Sequence, residues 1–195
     1  MRIGILISGR GSNMVALVDA IKSGEIPLSE AVIVISDQPS APGLAKAKER
    51  DVETAAIDRS GRTRTEHDAE IAAKFKEKNV DLICLAGYMR LLSPCFIAEF
   101  PDRIINIHPS LLPAFPGLDA QKQAFDHGVK ITGCTVHYVD ENLDSGKVIL
   151  QRSVEVLDTD KAETLAARIL EEEHRAYVAA VKMLAAAHLR QNAAA

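Results

Sequence analysis

The chain reads as an α/β protein, a mostly parallel twisted sheet of about seven strands with helices on both faces. Three observations predict this. Short apolar runs alternate with segments of helical periodicity through residues 1–100, the pattern of a parallel sheet covered on both sides. The first run, residues 3–7, stops at Ser8-Gly9-Arg10-Gly11 and passes directly into a helix, a strand, a glycine turn and a helix in succession. Hydrophobic residues make up 47% of 195 positions, enough for one sizeable core with little room for another, so a single domain over residues 1–195 is expected.

Each element follows from its own pattern. Met14, Val15, Leu17, Val18 and Ile21 recur at helical spacing after the glycine turn. Residues 31–35 read as the second strand, 44–50 as a short helix, 53–57 as the third strand, 65–78 as an amphipathic helix and 81–86 as a buried strand. Ser93-Pro94 has the form of an N-cap followed by proline at the first helical position, which predicts a brief helix to about Glu99. A fifth strand starts at Arg103 and contains the apolar residues 104–107 interrupted only by Asn106. Beyond His108 the alternation changes to a turn-rich segment, a helix over 120–126 and two β-rich runs, 131–139 and 147–156, with room for an antiparallel member. A polar loop carrying Asp140, Glu141 and Asp144 joins those two runs. Residues 161–189 form a long helical stretch with Leu165, Ile169, Tyr177, Val181 and Leu184 as core contacts, and 192–195 read as a frayed end.

Composition narrows the partners. A net charge of −4 argues against a nucleic-acid backbone as the main partner, which leaves a small molecule. Cys84, Cys95 and Cys134 show no C-x-x-C spacing, which fits a reduced, cytoplasmic compartment. No run approaches the ~20 apolar residues of a membrane span, and Met1-Arg2 leads into a strand without a signal-peptide layout.

The residues that can carry chemistry cluster around strand ends. Side chains two apart on a strand share a face, so Asn106 and His108 point together from the C-terminal edge of their strand into a turn bounded by Pro109 and Pro113. That edge is where open α/β sheets place their ligand crevice. An amide and an imidazole there can donate a hydrogen bond and a proton to one oxygen, as the tetrahedral stage of acyl transfer requires; the bland alternative is a capping amide beside a core histidine. Gly9-Arg10-Gly11-Ser12-Asn13-Met14 presents backbone N–H groups at a helix start and suits a phosphate, although Ser12 could simply cap the helix. Met14 replaces the third glycine of a dinucleotide fingerprint, and no Gly-Lys-Ser/Thr ending of a P-loop follows. Asp144 either shapes its turn or reaches His108, where a carboxylate favours the imidazolium. Gly87-Tyr88-Met89-Arg90-Leu91-Leu92 offers an apolar slot or an ordinary linker, and Arg64 and Glu173 read on composition as solvated helical residues. The six histidines show no H-E-x-x-H or Cys/His cluster, so no metal is expected, and no G-x-S-x-G elbow is present.

Four motifs in order make the chain recognisable: Ile5 through Asn13, Leu85 through Pro94, Asn106 through Pro113, and Gly133 through Asp140 continuing to Asp144-Ser145-Gly146. Over essentially its whole length it resembles the folate-dependent phosphoribosylglycinamide formyltransferases. That resemblance implies a Rossmann-like formyltransferase fold, with residues 1–100 as the phosphate-binding half and 101–195 as the catalytic and folate-binding half. It implies formyl transfer from the co-substrate 10-formyltetrahydrofolate to the amine of phosphoribosylglycinamide, without a metal, by a monomer or homodimer. Matched position by position, Asn106, His108 and Asp144 correspond to the family's catalytic trio. Gly11, Ser12, Asn13 and Glu173 correspond to contacts with the phosphoribosyl substrate, and Arg64, Met89, Arg90, Leu91, Leu92 and Asn106 to the folate side. One departure is Asp119, where some relatives carry histidines shortly after the Pro-Gly; an acid there either raises the pKa of His108 or caps the following helix. Methionyl-tRNA formyltransferases resemble this chain in the Asn-x-His and downstream Asp chemistry but add a C-terminal domain, and formyltetrahydrofolate hydrolases add an N-terminal one. A non-catalytic folate or nucleotide binder has no need of the trio.

Overall fold

The computed structural model describes residues 1–193. Its elements are β1 (Arg2–Ile7), α1 (Ser12–Lys22), β2 (Glu30–Ser36), α2 (Pro42–Lys48), β3 (Thr54–Ala56), α3 (Arg64–Glu77), β4 (Leu82–Leu85), α4 (Pro94–Glu99), β5 (Ile104–His108), α5 (Ala120–Asp126), β6 (Ile131–Tyr138), β7 (Val148–Glu155) and α6 (Ala162–Ala193). The seven strands form one sheet in the order β3-β2-β1-β4-β5-β6-β7. β1 to β5 are parallel, whereas β6 lies antiparallel to both β5 and β7 and is the reversed strand. The chain starts at the centre with β1, moves outward through β2 and β3, and returns to place β4 on the other side of β1. The order reverses between β1 and β4, the kind of switch point beyond whose strand ends open α/β sheets seat their ligands.

Strand alternation feeds two apolar clusters, one on each face. Ile3, Ile5 and Ile7 join Met14, Leu17, Leu165, Ile169, Tyr177 and Val181, while Leu6, Ile33 and Ile35 join Ile71, Phe75, Phe96 and Phe100. Gly4 faces the second cluster, where a Cβ would stand 2.6 Å from the Phe75 ring, so the absence of a side chain lets α3 approach β1. Tyr177, fully buried, donates its hydroxyl proton to the carbonyls of Leu85 at 3.0 Å and Ile105 at 3.2 Å. α6 is thereby tied to β4 and β5, the strands that end just before the segment 87–93 and at His108.

Where bounds differ from expectation, local chemistry explains it. α2 begins at Pro42, since proline suits the first helical turn. β3 keeps only three residues because it is an edge strand paired with β2 alone. α3 begins at Arg64 because Thr63 and Glu66 form a reciprocal cap: Thr63 Oγ1 accepts from Glu66 N at 3.3 Å and the Glu66 carboxylate accepts from Thr63 N at 2.9 Å. Thr63→Ala is expected to cost about 1 kcal/mol of stability, seen as an earlier urea midpoint; an unchanged midpoint would show that the cap contributes nothing. α6 continues past Leu189 to Ala193, so Asn192 and Ala193 are helical, and the last two residues of the expected frayed end lie outside the described residues.

Candidate active site

The turn after β1 places a helix start at the sheet's switch point. Gly11 is the N-cap of α1 with φ 67° and ψ 33°, a left-handed conformation that favours glycine. The cap position thus has no side chain, and the reading of Ser12 as the cap is excluded: Ser12 is the first helical residue. The first N–H groups of α1 have no partner within the helix, which leaves them available to an external acceptor. α2 braces the turn from outside, with Gly43 N donating to Gly9 O and Lys46 Nζ to Arg10 O, both at 3.0 Å.

Asn13 follows a different course from the rest of this turn. Its side chain is buried and donates through Nδ2 to Glu173 Oε2 at 2.7 Å, joining α1 to α6 across 160 residues of sequence. Glu173 is not on a solvated helical face: it is 6% exposed. Burial pushes its carboxyl up to about 7, against the smaller lowering effect of the Asn13 bond. Asn13 Oδ1 is buried without a hydrogen-bond partner.

Beyond β4, Met89 and Leu91 present their side chains outward, 62% and 53% exposed, and Arg90 is partly buried. Leu92 instead belongs to the core beside Phe96, so its side chain does not line the expected slot. Arg64 is exposed at the start of α3 and is bonded to none of the other candidate residues among the described contacts.

At the end of β5 the structure brings Asn106, His108 and Asp144 together and adds a fourth side chain. The antiparallel pairing sets Asn106 opposite His137 and His108 opposite Thr135. Asp144 adopts φ 50° and turns its carboxylate inward, with Oδ2 accepting from Gly117 N at 2.8 Å and lying 3.3 Å from His108 Nδ1. Its Oδ1 stands 3.8 Å from His137 Nε2. Asn106 Nδ2 approaches the same His137 Nε2 at 3.3 Å, while His137 Nδ1 donates to the Tyr138 carbonyl at 2.8 Å. Burial holds the His137 pKa below the ordinary imidazole range. The neutral ring therefore keeps Nε2 as an acceptor and fixes the amide orientation of Asn106. His108 Nε2 faces the Phe115 carbonyl at 2.9 Å. With both ring nitrogens against oxygens, donation to a reacting oxygen means exchanging one of these contacts.

The turn after His108 is held from β6. Thr135 Oγ1 donates to Ser110 O at 2.7 Å and accepts from Leu112 N at 3.0 Å. Asp119 is exposed at the N-cap position of α5, where its side chain makes no capping bond. His137 and Thr135 received no role from the sequence reading, yet a signal was present. They are the polar positions that alternate with Cys134 and Val136 along an apolar strand, which puts them on one face.

The profile of the family described as formyl transferase matches residues 1–181. The phosphoribosylglycinamide formyltransferase of Bacillus subtilis is 40% identical over 184 residues, covering 94% of each chain. The trifunctional purine biosynthetic protein adenosine-3 of Chironomus tentans is 42% identical over 193 residues, and there this chain spans only 14% of the relative. Among solved structures, glycinamide ribonucleotide transformylase 1 from Symbiobacterium toebii superposes with a TM-score of 0.93 at 49% identity, covering 96% of this chain and 88% of that one. The phosphoribosylglycinamide formyltransferase of Brucella melitensis gives 0.90 at 49% identity, covering 95% of both.

Proposed function

The chain belongs to the formyl transferase family, and from that premise we propose that it transfers the formyl group of 10-formyltetrahydrofolate to the amine of phosphoribosylglycinamide. The products are phosphoribosyl-N-formylglycinamide and tetrahydrofolate, a step of purine synthesis. The observation that carries this reading is the Asp144 carboxylate seated 3.3 Å from His108 Nδ1, beside Asn106. A module that only binds its ligands needs no carboxylate set against that imidazole, with an amide two residues away on the same strand face.

The neutral amine attacks the formyl carbon, and the carbonyl electron pair moves onto oxygen. Asn106 uses one N–H for His137 and keeps a second for that oxyanion. His108 supplies the other donor by exchanging the Phe115 carbonyl for the reacting oxygen, with Asp144 holding the ring. The attacking nitrogen then loses a proton, N10 of the folate gains one, and the bond from the formyl carbon to N10 breaks. Fixed donors meet the developing charge, so no metal enters the scheme.

In the same reading Gly11, Ser12 and Asn13 hold the phosphate through the start of α1, and Glu173 makes a further contact to the phosphoribosyl substrate. Arg64 and Met89 to Leu92 form the folate side together with Asn106, the backbone rather than the side chain of Leu92 taking part. Residues 1–100 thus supply the phosphate turn and most of the folate wall, and residues 101–195 supply the catalytic trio and Glu173. The enzyme works in the cytoplasm on two small molecules, as a monomer or homodimer.

The decisive assay follows tetrahydrofolate release with phosphoribosylglycinamide, initiator tRNA or water as the acceptor. Release with phosphoribosylglycinamide alone is expected. Turnover supported only by water or only by tRNA would assign the chain to one of the related activities instead.

A further inference from the structure

β1 and β4 are neighbours in the sheet, with Leu6 paired to Leu85, so the turns that follow them emerge side by side. Ser8 stands where they meet. Its backbone N–H donates to Gly87 O at 3.1 Å, and its hydroxyl oxygen accepts from Met89 N at 2.9 Å. One residue later the chain enters the glycine turn that begins α1.

Between Gly87 and Ser93 the backbone has no helix or strand. The segment is tethered at its start by Ser8 and at its end by Ser93 N, which donates to the buried Asp68 carboxylate at 2.6 Å. Between those tethers Met89 and Leu91 project outward. The Met89 side chain leaves the backbone at the very residue whose amide Ser8 holds. Because that N–H is already committed to Ser8, Met89 has its side chain and its carbonyl left for a ligand.

We propose that Ser8 is a positioning residue for the folate side: its hydroxyl sets the path of residues 87–92 from the end of the strand that carries the phosphate turn. This rests on the assignment of Met89 to Leu92 to the folate. The prediction is asymmetric, because Ser8 touches the folate wall through its side chain and the phosphate turn only through its backbone. Removing the hydroxyl leaves the Ser8 backbone bond to Gly87 in place and frees Met89 N–H to water.

Ser8→Ala is therefore expected to raise the KM for 10-formyltetrahydrofolate roughly fivefold, the scale of one lost neutral hydrogen bond. The KM for phosphoribosylglycinamide and kcat at saturation should stay within about twofold. Ser8→Thr keeps the acceptor oxygen and should recover the parental folate KM. An unchanged folate KM, equal rises in both KM values, or failure of Ser8→Thr to recover would each overturn the role. If the parent enzyme shows no turnover with these two substrates, the functional reading fails first and this proposal falls with it. Normal parental turnover with an unaltered Ser8→Ala variant removes the proposal alone.

Discussion

His108→Ala and Asp144→Asn should each lower kcat by roughly 100- to 10,000-fold, the range of a lost general acid or oxyanion donor, with both KM values within a few-fold of parental. The reason is geometric. His108 is buried at the end of β5 with Asp144 against Nδ1 and the Phe115 carbonyl against Nε2, so the ring has few orientations open to it. Alanine removes the donor altogether. Asp144→Asn keeps the side-chain volume, but Gly117 N–H and the His108 ring lie on the same Asp144 oxygen, and a neutral carbonyl oxygen serves both poorly. An amide in that place loses the negative charge set against the ring, and its other end carries an N–H where the carboxylate offered a second acceptor. Steady-state kinetics with both substrates saturating reads the effect. Near-parental kcat in both variants would remove these residues from the chemistry.

Glu173→Gln should make the protein more stable above neutral pH and a poorer enzyme. Glu173 titrates near pH 7 in the fold because burial disfavours its charge, whereas an unfolded glutamate titrates near its reference value of about 4.3. Between those values the folded chain retains a proton that the unfolded chain has released. The parental stability therefore falls as pH rises through this window, and the full cost is present above about pH 7, on the order of 3 kcal/mol. Glutamine does not ionise, so its stability advantage should be small at pH 4.5 and reach a plateau above pH 7. It can also offer an N–H to the buried and unpartnered Asn13 Oδ1. On the proposed reading Glu173 contacts the phosphoribosyl substrate, so the functional loss is expected as a raised KM for phosphoribosylglycinamide with kcat little changed. Urea unfolding of both proteins at the two pH values tests the stability claim, and equal differences at both would refute it.

The two contacts behind these predictions differ in how far the sequence revealed them. Asn106 and His108 were legible as a pair because strand alternation alone places them on one face. Asp144 was legible as an acid in a turn, but its reach to His108 depends on the left-handed backbone at Asp144 and on Gly117 N, 27 residues earlier in the sequence. No local pattern encodes such a meeting. The bond from Asn13 to Glu173 was hidden for the same reason, since it joins two distant parts of the chain, a turn and a long helix. Glu173 looked like one more acid among Glu171 and Glu172, and only packing of α6 on α1 separates it from them.

The sheet was more readable, because alternation of apolar runs with helices marks its parallel strands without any long-range fact, although their order across the sheet is set only by packing. The reversal at β6 was foreseen only as an option. The capping box of α3 escaped notice although Thr63 and Glu66 stand at the defining spacing. His137 was missed for want of a register: as a histidine in a strand it has no assigned partner until β6 is laid against β5.

That pairing makes catalysis a stricter test of folding than spectroscopy. A shift of β6 by one residue would turn His137 and Thr135 to the opposite face, leaving helix content and strand count almost untouched. Asn106 would lose the ring that orients its amide, and the turn after His108 would lose its anchor. Molecules with native circular dichroism but a slipped β6 would be silent in the assay. Specific activity therefore counts the fraction of chains whose last three strands were assembled in step, and refolding yields judged by the two measures should diverge whenever that assembly errs.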